Sequence, residues 1–313
     1  MRILVVGAGS TGGYFGMRLA QGGRDVTFLV RPRRAEILRA RGLRLIEGDR
    51  EERIEPSLVT AAGLAAPFDT VLLSVKAMAL AQALDDMAPA IDADTRVIPF
   101  LNGIAHLDEL NRRFGQASTL TGVVVVPIEL NDAGDIVKLA PVATMEIGQQ
   151  DGLPSPRLRE VADELSVPGF DLSLSADGVA AMWHKWVFLS TVAALTCLMR
   201  GNVGEIVACP GGAELGPAIL AEAAAVSAAA GYRVPAESLA STTATVTEAG
   251  SQATASLYRD VRVGNPTEVE GVLGEFVARA RAMGVPTPVL DLATLHLRVY
   301  ERRRDAELAR SGG

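Results

Sequence analysis

A glycine-rich turn directly after an apolar run constrains the fold of this chain more than any other feature. The run RILVV at residues 2–6 leads into GAGSTG at residues 7–12, which has the spacing Gly-x-Gly-x-x-Gly. In a βαβ unit, such glycines allow a tight turn, a close ligand and close helix packing. A helical stretch and a second apolar strand follow, as that unit requires. The pattern predicts a dinucleotide pyrophosphate on a helix N-terminus. The residues expected to bind it are Gly7, Gly9, Ser10, Thr11 and Gly12.

The end of the second strand indicates which dinucleotide is bound. An NAD site usually has a carboxylate there for the ribose 2'-hydroxyl, but this strand ends in Arg31-Pro32-Arg33-Arg34. Pro32 suits the first turn of a helix, where cations are unfavourable unless an anion compensates them. We therefore expect NADPH, with Arg31 contacting its 2'-phosphate. The alternative is a solvated basic face partly balanced by Glu36, which accounts for Arg33 and Arg34 better than for Arg31.

Composition limits the class of protein. The 313 residues are 49% apolar and 21% charged, enough for two globular domains. The net charge of −7 argues against a nucleic-acid or anionic membrane surface. The apolar run 186–199 is short and contains Ser190 and Thr191, so it suits a core helix better than a membrane span. Two cysteines and three scattered histidines predict neither disulfides nor a metal site. The N-terminus lacks a signal-peptide pattern, so a cytoplasmic location is expected.

The order of elements predicts two parts. To about residue 175, strand and helix patterns alternate, with a turn at 131–134 between later strands. This favours an α/β Rossmann-type doubly wound sheet with an antiparallel extension. The remainder is alanine-rich and predicts an all-helical domain, so we expect an NADP-binding domain at 1–175 and a helical substrate domain at 176–313. Helices are predicted near 177–200, 213–230, 235–248, 266–283 and 288–304.

Lys185 is the most unusual charged residue of the helical part. Its neighbours three and four positions away are Ala181, Met182, Phe188 and Leu189, so no carboxylate shares its face. Burial among apolar groups lowers a lysine pKa and suits it to donate a proton near neutral pH. The alternative is a lysine that extends to solvent from a buried helix, which this segment alone favours.

Several short motifs keep their order along the whole chain. The stretches ASLYRD at 255–260 and NPTEVE at 265–270 are the most specific of them. Together the motifs resemble the ketopantoate reductase (2-dehydropantoate 2-reductase) family across both predicted domains. The positions that carry the resemblance are the glycine turn at residue 7, Arg31, Lys76, Asn102-Gly103, Trp183-x-Lys185, Ser256 and Glu268.

The resemblance implies roles for these positions. In that family NADPH reduces a 2-oxo acid, and Lys185 corresponds to the general acid that protonates the carbonyl oxygen. Glu268 would hold a substrate hydroxyl, and Ser256 would bond the substrate carboxylate. Lys76 and Asn102 follow predicted strands at the sheet edge where ligands bind, and are expected to contact both cofactor and substrate.

Each of the less distinctive residues also has a structural interpretation. Glu268 could be the N3 residue of a helix cap that begins at Asn265 and Pro266. Ser256 could cap a local helix, and Asn102-Gly103 could simply end a strand.

The chain departs from the family at two positions. The family usually has asparagine four and eight residues after the lysine, where this chain has Leu189 and Ala193. Loss of two amides changes which polar groups of a substrate can be satisfied. Ser190 would substitute only if the helix rotated or kinked.

The resemblance implies NADPH-dependent reduction of a small 2-oxo acid to a 2-hydroxy acid. The best single expectation is ketopantoate to pantoate, a step of pantothenate biosynthesis. One alternative is a related reductase of a more apolar oxo acid, and another is an NADP(H)-binding sensor without turnover. A homodimer is a further expectation.

Overall fold

The computed structural model describes residues 1–311, which form two compact units. Unit 1 comprises Met1–Leu101 and His106–Ala181. Unit 2 comprises Asn102–Ala105 together with the described chain from Met182 onward. All strands belong to unit 1, whereas the described residues of unit 2 are helical or in connecting segments. The fold class is therefore confirmed as a Rossmann-type α/β part followed by an all-helical part.

The strands follow one another in unit 1 from the first residues to the start of the helical part. They are β1 (Arg2–Val6), β2 (Asp25–Leu29), β3 (Leu43–Glu47), β4 (Arg50–Ile54), β5 (Ser57–Val59), β6 (Thr70–Leu73), β7 (Arg96–Pro99), β8 (Thr121–Val125), β9 (Ile128–Leu130), β10 (Ile136–Lys138), β11 (Thr144–Gly148) and β12 (Asp171–Leu174).

The helices lie between these strands and through unit 2. They are α1 (Ser10–Gln21), α2 (Pro32–Arg41), α3 (Leu80–Met87), α4 (Ala105–Phe114), α5 (Pro156–Leu165), α6 (Gly178–Met199), α7 (Val203–Val207), α8 (Gly212–Ala229), α9 (Ala236–Thr247), α10 (Ser256–Arg262), α11 (Glu275–Ala282) and α12 (Pro288–Ser311).

The central sheet of unit 1 is parallel, with the strand order β5-β2-β1-β6-β7. Parallel sheets are covered on both faces, so their strands are apolar along the whole length. In β1, Ile3 and Val5 belong to one buried cluster, whereas Leu4 and Val6 belong to another. The alternation places one core on each face of the sheet, and helix α1 leaves the carboxyl end of its middle strand.

The strands outside the central sheet form two smaller sheets, β4-β3-β10-β9 and β12-β11-β8. Both are mixed: β3–β4, β9–β10 and β8–β11 are antiparallel as predicted, whereas β3–β10 and β11–β12 are parallel. The turn expected at 131–134 joins β9 to β10, and the Gly134 amide donates to the Asn131 carbonyl at 2.8 Å. Strand β9 and helices α4, α5, α7 and α10 were not predicted, because each is shorter than the window of about 11–18 residues in which hydrophobic periodicity is read. The cap residues Ser155 of α5 and Asn202 of α7 were signals that could have identified those two helices.

Aromatic side chains form part of the core of unit 2. The Trp186 ring meets that of Phe276 edge-on, with centroids 4.8 Å apart. Trp183 lies 5.2 Å from Trp186 and stacks on Tyr232 at 5.8 Å. Because three of these rings belong to α6 and α11, they fix the two helices against each other.

The helix predicted over 266–283 is wrong in its first part. Residues 265–268 are not helical; a helix begins at Val269, adopts π geometry over Glu270–Gly274, and continues as α11. The Thr267 amide and hydroxyl donate instead to the Glu301 side chain, which holds this stretch in a non-helical conformation. We call Glu270–Gly274 the π segment; one-turn π insertions of this kind often occur at functional sites.

Candidate functional site

The glycine turn lies between β1 and α1, as predicted. The Gly7 amide donates to the Leu29 carbonyl of β2 at 3.0 Å, and φ at Gly7 is +95°. A Cβ atom at Gly7 would lie 2.5 Å from the Ser74 carbonyl oxygen, and one at Gly12 would overlap the Gly7 carbonyl. Both positions therefore require glycine for the turn to form.

Gly9 differs from these two glycines because the space beside it is open. A Cβ there would meet nothing within 4 Å. Gly9 is also the N-cap of α1, where no side chain caps the free amides and the first turn has no acidic residue. Free amides and the helix dipole attract an anion. The residues present, including Ser10 and Thr11 in the first turn, therefore fit a dinucleotide pyrophosphate.

The arginines after β2 differ in their surroundings. Arg34 is half-buried and donates to the Gly134 carbonyl at 3.1 Å, and burial lowers its pKa. Arg31 is exposed at the N-cap of α2; its carbonyl accepts the Ala35 amide at 3.0 Å, but within residues 1–311 its side chain makes no hydrogen bond or ion pair. Arg34 is therefore bonded to a backbone carbonyl rather than to Glu36, the residue expected to balance a basic face, while the Arg31 side chain stays available to a ligand.

Lys76 is the other charged residue near the glycine turn. Strands β2 and β6 flank β1 on opposite sides, and the Ser74 amide after β6 donates to the Val6 carbonyl at 2.9 Å. Lys76 follows two residues later and is exposed. Unit 1 thus brings Arg31 and Lys76 to the same sheet edge as the glycine turn.

In unit 2 the remaining candidates are arranged around the π segment. The Val272 carbonyl accepts two hydrogen bonds from α6, from the Trp186 indole N–H at 2.7 Å and from the Ser190 hydroxyl at 3.1 Å. Both side chains are completely buried. These bonds hold α6, which carries Lys185, against the chain that carries Glu268.

Lys185 and Glu268 interact in this arrangement. The Lys185 side chain is half-buried, and desolvation lowers its pKa from 10.5 to about 8, while the Glu268 carboxylate acts in the opposite direction. A lysine in this state gives up a proton near neutral pH more readily than a solvated one. The pair combines a proton donor with a carboxylate that can accept a hydrogen bond.

Asn102 belongs to a turn that packs against the π segment. Gly103 has φ of +75°, and a Cβ atom there would lie 2.6 Å from the Gly271 carbonyl oxygen of the π segment. The turn therefore packs against the π segment backbone only because residue 103 is glycine. Asn102 itself is half-buried.

The structure also locates the departures from the family. Leu189, one helical turn after Lys185, is partly exposed, whereas Ala193 is 1% exposed. Ser190 is buried and bonded to Val272, so it does not replace the missing amide. Leu189 is thus the departure whose side chain is accessible.

Ser256 is not part of the Lys185–Glu268 pair. It is the exposed first residue of α10, and the preceding Ala255 amide donates to the Thr196 hydroxyl at 3.3 Å. Thr196 lies eleven residues beyond Lys185 in α6, about 16 Å along the helix axis.

Two of the structural interpretations do not hold. Ala255, rather than Ser256, is the N-cap of α10, and no side chain caps that helix. Glu268 precedes the helix that begins at Val269, so it is not an N3 residue.

Sequence reasoning missed the π segment and the two side chains that bond to it. A signal existed, because a buried indole N–H needs an acceptor and α6 has few polar groups of its own.

Among residues 1–311, no three Cys, His, Asp or Glu side chains lie close enough together to form a metal site. None of the helices in that range combines the length and hydrophobicity needed to cross a membrane.

Comparison with known proteins covers both units. Residues 3–152 match the family model described as "Ketopantoate reductase PanE/ApbA", and residues 177–301 match the model of its C-terminal part. The uncharacterized oxidoreductase YkpB of Bacillus subtilis is 30% identical over 306 residues, covering 97% of this chain and 100% of that protein. The 2-dehydropantoate 2-reductase of Mesorhizobium japonicum is 28% identical over 318 residues, covering 93% and 95%.

A solved structure shares the fold as well. The ternary structure of D-mandelate dehydrogenase with NADH and anilino(oxo)acetate superposes with a TM-score of 0.87 and 23% identity, covering 97% of this chain and all of that one.

Proposed function

Because this chain belongs to the ketopantoate reductase family, we propose that it reduces ketopantoate to pantoate with NADPH. Membership confirms the resemblance and the prediction of an NADPH-dependent oxidoreductase acting on a 2-oxo acid. The observation that supports the chemistry best is Lys185, whose pKa burial lowers to about 8 beside Glu268.

The proposed roles follow from these surroundings. When bound, NADPH supplies the hydride that reduces the carbonyl carbon. Lys185 Nζ donates the proton that the carbonyl oxygen gains, so the carbonyl becomes a hydroxyl. Glu268 accepts a hydrogen bond from a hydroxyl of the substrate, which ketopantoate has in addition to its carbonyl and carboxylate and which simple oxo acids lack. Asn102 and Ser256 bind the polar groups of the substrate that remain.

Cofactor binding is assigned to the sheet edge of unit 1. The amides after Gly9 hold the pyrophosphate, and Arg31 pairs with the 2'-phosphate. Lys76 and Asn102 contribute to the same ligand. The division into a cofactor domain at 1–175 and a substrate domain at 176–313 stays a prediction.

Substrate turnover tests this proposal. NADPH oxidation is measured with ketopantoate and with unhydroxylated branched 2-oxo acids of matched size, for the wild type and Glu268→Gln. We expect ketopantoate to have the highest kcat/KM and to lose most of that advantage in the variant. Equal kcat/KM across the panel would contradict the assignment of ketopantoate.

A second candidate is a more apolar oxo acid. Leu189 favours it, because a partly exposed aliphatic side chain stands one helical turn from Lys185, where the family usually has an amide. A preference for aliphatic or aryl oxo acids that Leu189→Asn reverses would support this candidate. NADPH binding without turnover of any oxo acid would instead support the sensor.

We also propose a homodimer. Helix α12 exposes Leu292, Leu295 and Val299 at 54%, 58% and 40%, and their spacing places them on one face. A face of this kind can pair with its own copy about a two-fold axis. Light scattering with size exclusion should give a dimer mass for the wild type and a monomer mass for Leu295→Glu.

A further inference from the structure

Helix α12 holds the chain on both sides of Glu268. One carboxylate oxygen of Glu301 accepts from the Thr267 amide at 2.6 Å and from the Thr267 hydroxyl at 2.7 Å. On the other side, Arg298 donates to both oxygens of Glu270 at 2.7 and 2.6 Å. Glu268 and Val269, the two residues between these anchor points, are therefore held by contacts that their neighbours make.

The Glu301 anchor is the stronger of the two. Thr267 is 7% exposed, and the Glu301 side chain is 20% exposed. Arg304 Nη1 lies 3.2 Å from the second oxygen of Glu301, and this ion pair, in which Arg304 is 17% exposed, adds an electrostatic contact to the carboxylate. The side chains of Arg298 and Glu270 are 40% and 64% exposed, so solvent screens that pair. Hydrogen bonds shielded from water hold their partners more firmly.

The anchored stretch leads into the π segment, whose first residue is Glu270. The Val272 amide donates to the Glu268 carbonyl at 3.1 Å, and the Val272 carbonyl accepts the bonds from Trp186 and Ser190. A shift of the chain at Thr267 therefore moves Glu268 relative to α6 and to Lys185.

We propose that Glu301 is a positioning residue, which acts through Thr267 to hold the Glu268 carboxylate where a substrate hydroxyl binds. The inference rests on the proposed function of Glu268. Glu301 contacts Thr267 and Arg304 and makes no hydrogen bond or ion pair with Lys185 within residues 1–311, so we expect its effect on turnover to pass through the backbone of residues 267–268.

Three variants of the full chain test the inference. Glu301→Ala removes the acceptor, whereas Glu301→Gln keeps a carbonyl oxygen that can accept both Thr267 bonds. Asp305→Ala is the matched control, because Asp305 bonds Arg304 but not Thr267. For each, kcat, KM and the pH dependence of kcat/KM are measured with ketopantoate.

We expect Glu301→Ala to lower kcat/KM by about 10- to 100-fold, the cost of a misplaced binding group. As Glu268 moves away, Lys185 loses the charge that raises its pKa, so the alkaline limb of the profile moves to lower pH. Glu301→Gln and Asp305→Ala should keep the wild-type limb and lie within about threefold of wild-type kcat/KM. A loss of folded protein alone would lower the rate at every pH without moving the limb.

Two results would overturn the inference. The first is that Glu301→Ala folds and has the same kcat/KM and the same alkaline limb as Asp305→Ala. The second is that Glu301→Gln loses as much kcat/KM as Glu301→Ala. If Glu301→Ala does not fold, Thr267→Val removes one of the two bonds and must shift the limb in the same direction. Glu268→Gln separates the proposed role of Glu268 from the positioning role of Glu301. If Glu268→Gln turns over ketopantoate normally, the role of Glu268 is wrong. If Glu268→Gln is impaired while Glu301→Ala is not, only the positioning role of Glu301 is wrong.

Discussion

At the glycine turn of unit 1 the functional groups are backbone amides, whereas at the π segment of unit 2 they are the side chains of Lys185 and Glu268. The first region needs residues without side chains, because a Cβ at Gly7 or Gly12 would collide with the backbone. The second needs buried bonds from Trp186 to orient the helix that carries the lysine. Substitutions in the two regions should therefore fail in different ways, one in binding and the other in chemistry.

The largest effect is expected at Lys185. Lys185→Met should lower kcat by about 10²- to 10⁴-fold, the usual contribution of a general acid, and leave the Kd for NADPH unchanged. The same variant should raise the free energy of unfolding at pH 7 by about 1–3 kcal/mol, because a desolvated cation is replaced by an apolar chain of similar length. Stopped-flow turnover, NADPH fluorescence titration and urea unfolding measure the three quantities. Normal turnover by this variant would remove Lys185 from the mechanism.

Gly9 provides the converse experiment in unit 1. Gly9→Ala should fold normally, since its Cβ would meet nothing within 4 Å, yet occupy space that the pyrophosphate needs. We expect the Kd for NADPH to rise by about 10- to 100-fold, as several charge-assisted bonds weaken together, with the same melting temperature. Gly12→Ala is the control, because it should lose stability as well. An unchanged Kd in Gly9→Ala would place the pyrophosphate elsewhere.

The two regions were also unequal in what the sequence could predict. Gly7, Gly9 and Gly12 are adjacent in sequence and act through local backbone geometry, so their spacing alone predicted the turn. The pairing of Lys185 with Glu268 depends on a π segment about eighty residues away in sequence, which no local periodicity indicates. The apolar neighbours of Lys185 singled it out, but family resemblance supplied its role as general acid and the choice of Glu268. The anchor from Glu301 to Thr267 had no sequence signal, because it joins an ordinary surface-type residue to a loop.

The pH dependence of kcat/KM and of the Kd for NADPH also distinguishes the two regions. Lys185 is a donor only when protonated, so kcat/KM should be constant well below about 8 and fall as pH rises through the pKa of about 8. The fall should reach about tenfold per pH unit. Glu268 raises that pKa, so Glu268→Gln should move the limb to lower pH. The Kd for NADPH should show no matching limb, and a limb shared by both quantities would contradict the assignment to Lys185.

A smaller effect is expected at Arg31. Arg31→Ala should raise the KM for NADPH by about tenfold, the value of one partly exposed charge-assisted bond, and leave the KM for NADH unchanged. Arg33→Ala is the matched control, since Arg33 is an exposed arginine of the same helix terminus. Initial rates with both cofactors measure the ratio. Equal losses with NADPH and NADH would indicate that Arg31 does not contact the 2'-phosphate.

The smallest effect is expected at Ser190, which tests whether the π segment orients α6 or merely packs against it. Ser190→Ala removes one of the two bonds to the Val272 carbonyl and leaves the one from Trp186 at 2.7 Å. The free energy of unfolding should fall by about 1 kcal/mol, the net value of one buried hydrogen bond. Thr191→Val is the matched control, because the Thr191 hydroxyl is equally buried but bonds Val187 within its own helix at 2.8 Å. If the bond from Ser190 to Val272 orients the lysine, Ser190→Ala should lower kcat by two- to threefold (about 0.5 kcal/mol), and Thr191→Val should leave kcat unchanged. Equal kcat values in the two variants would assign the orientation of Lys185 to Trp186 alone.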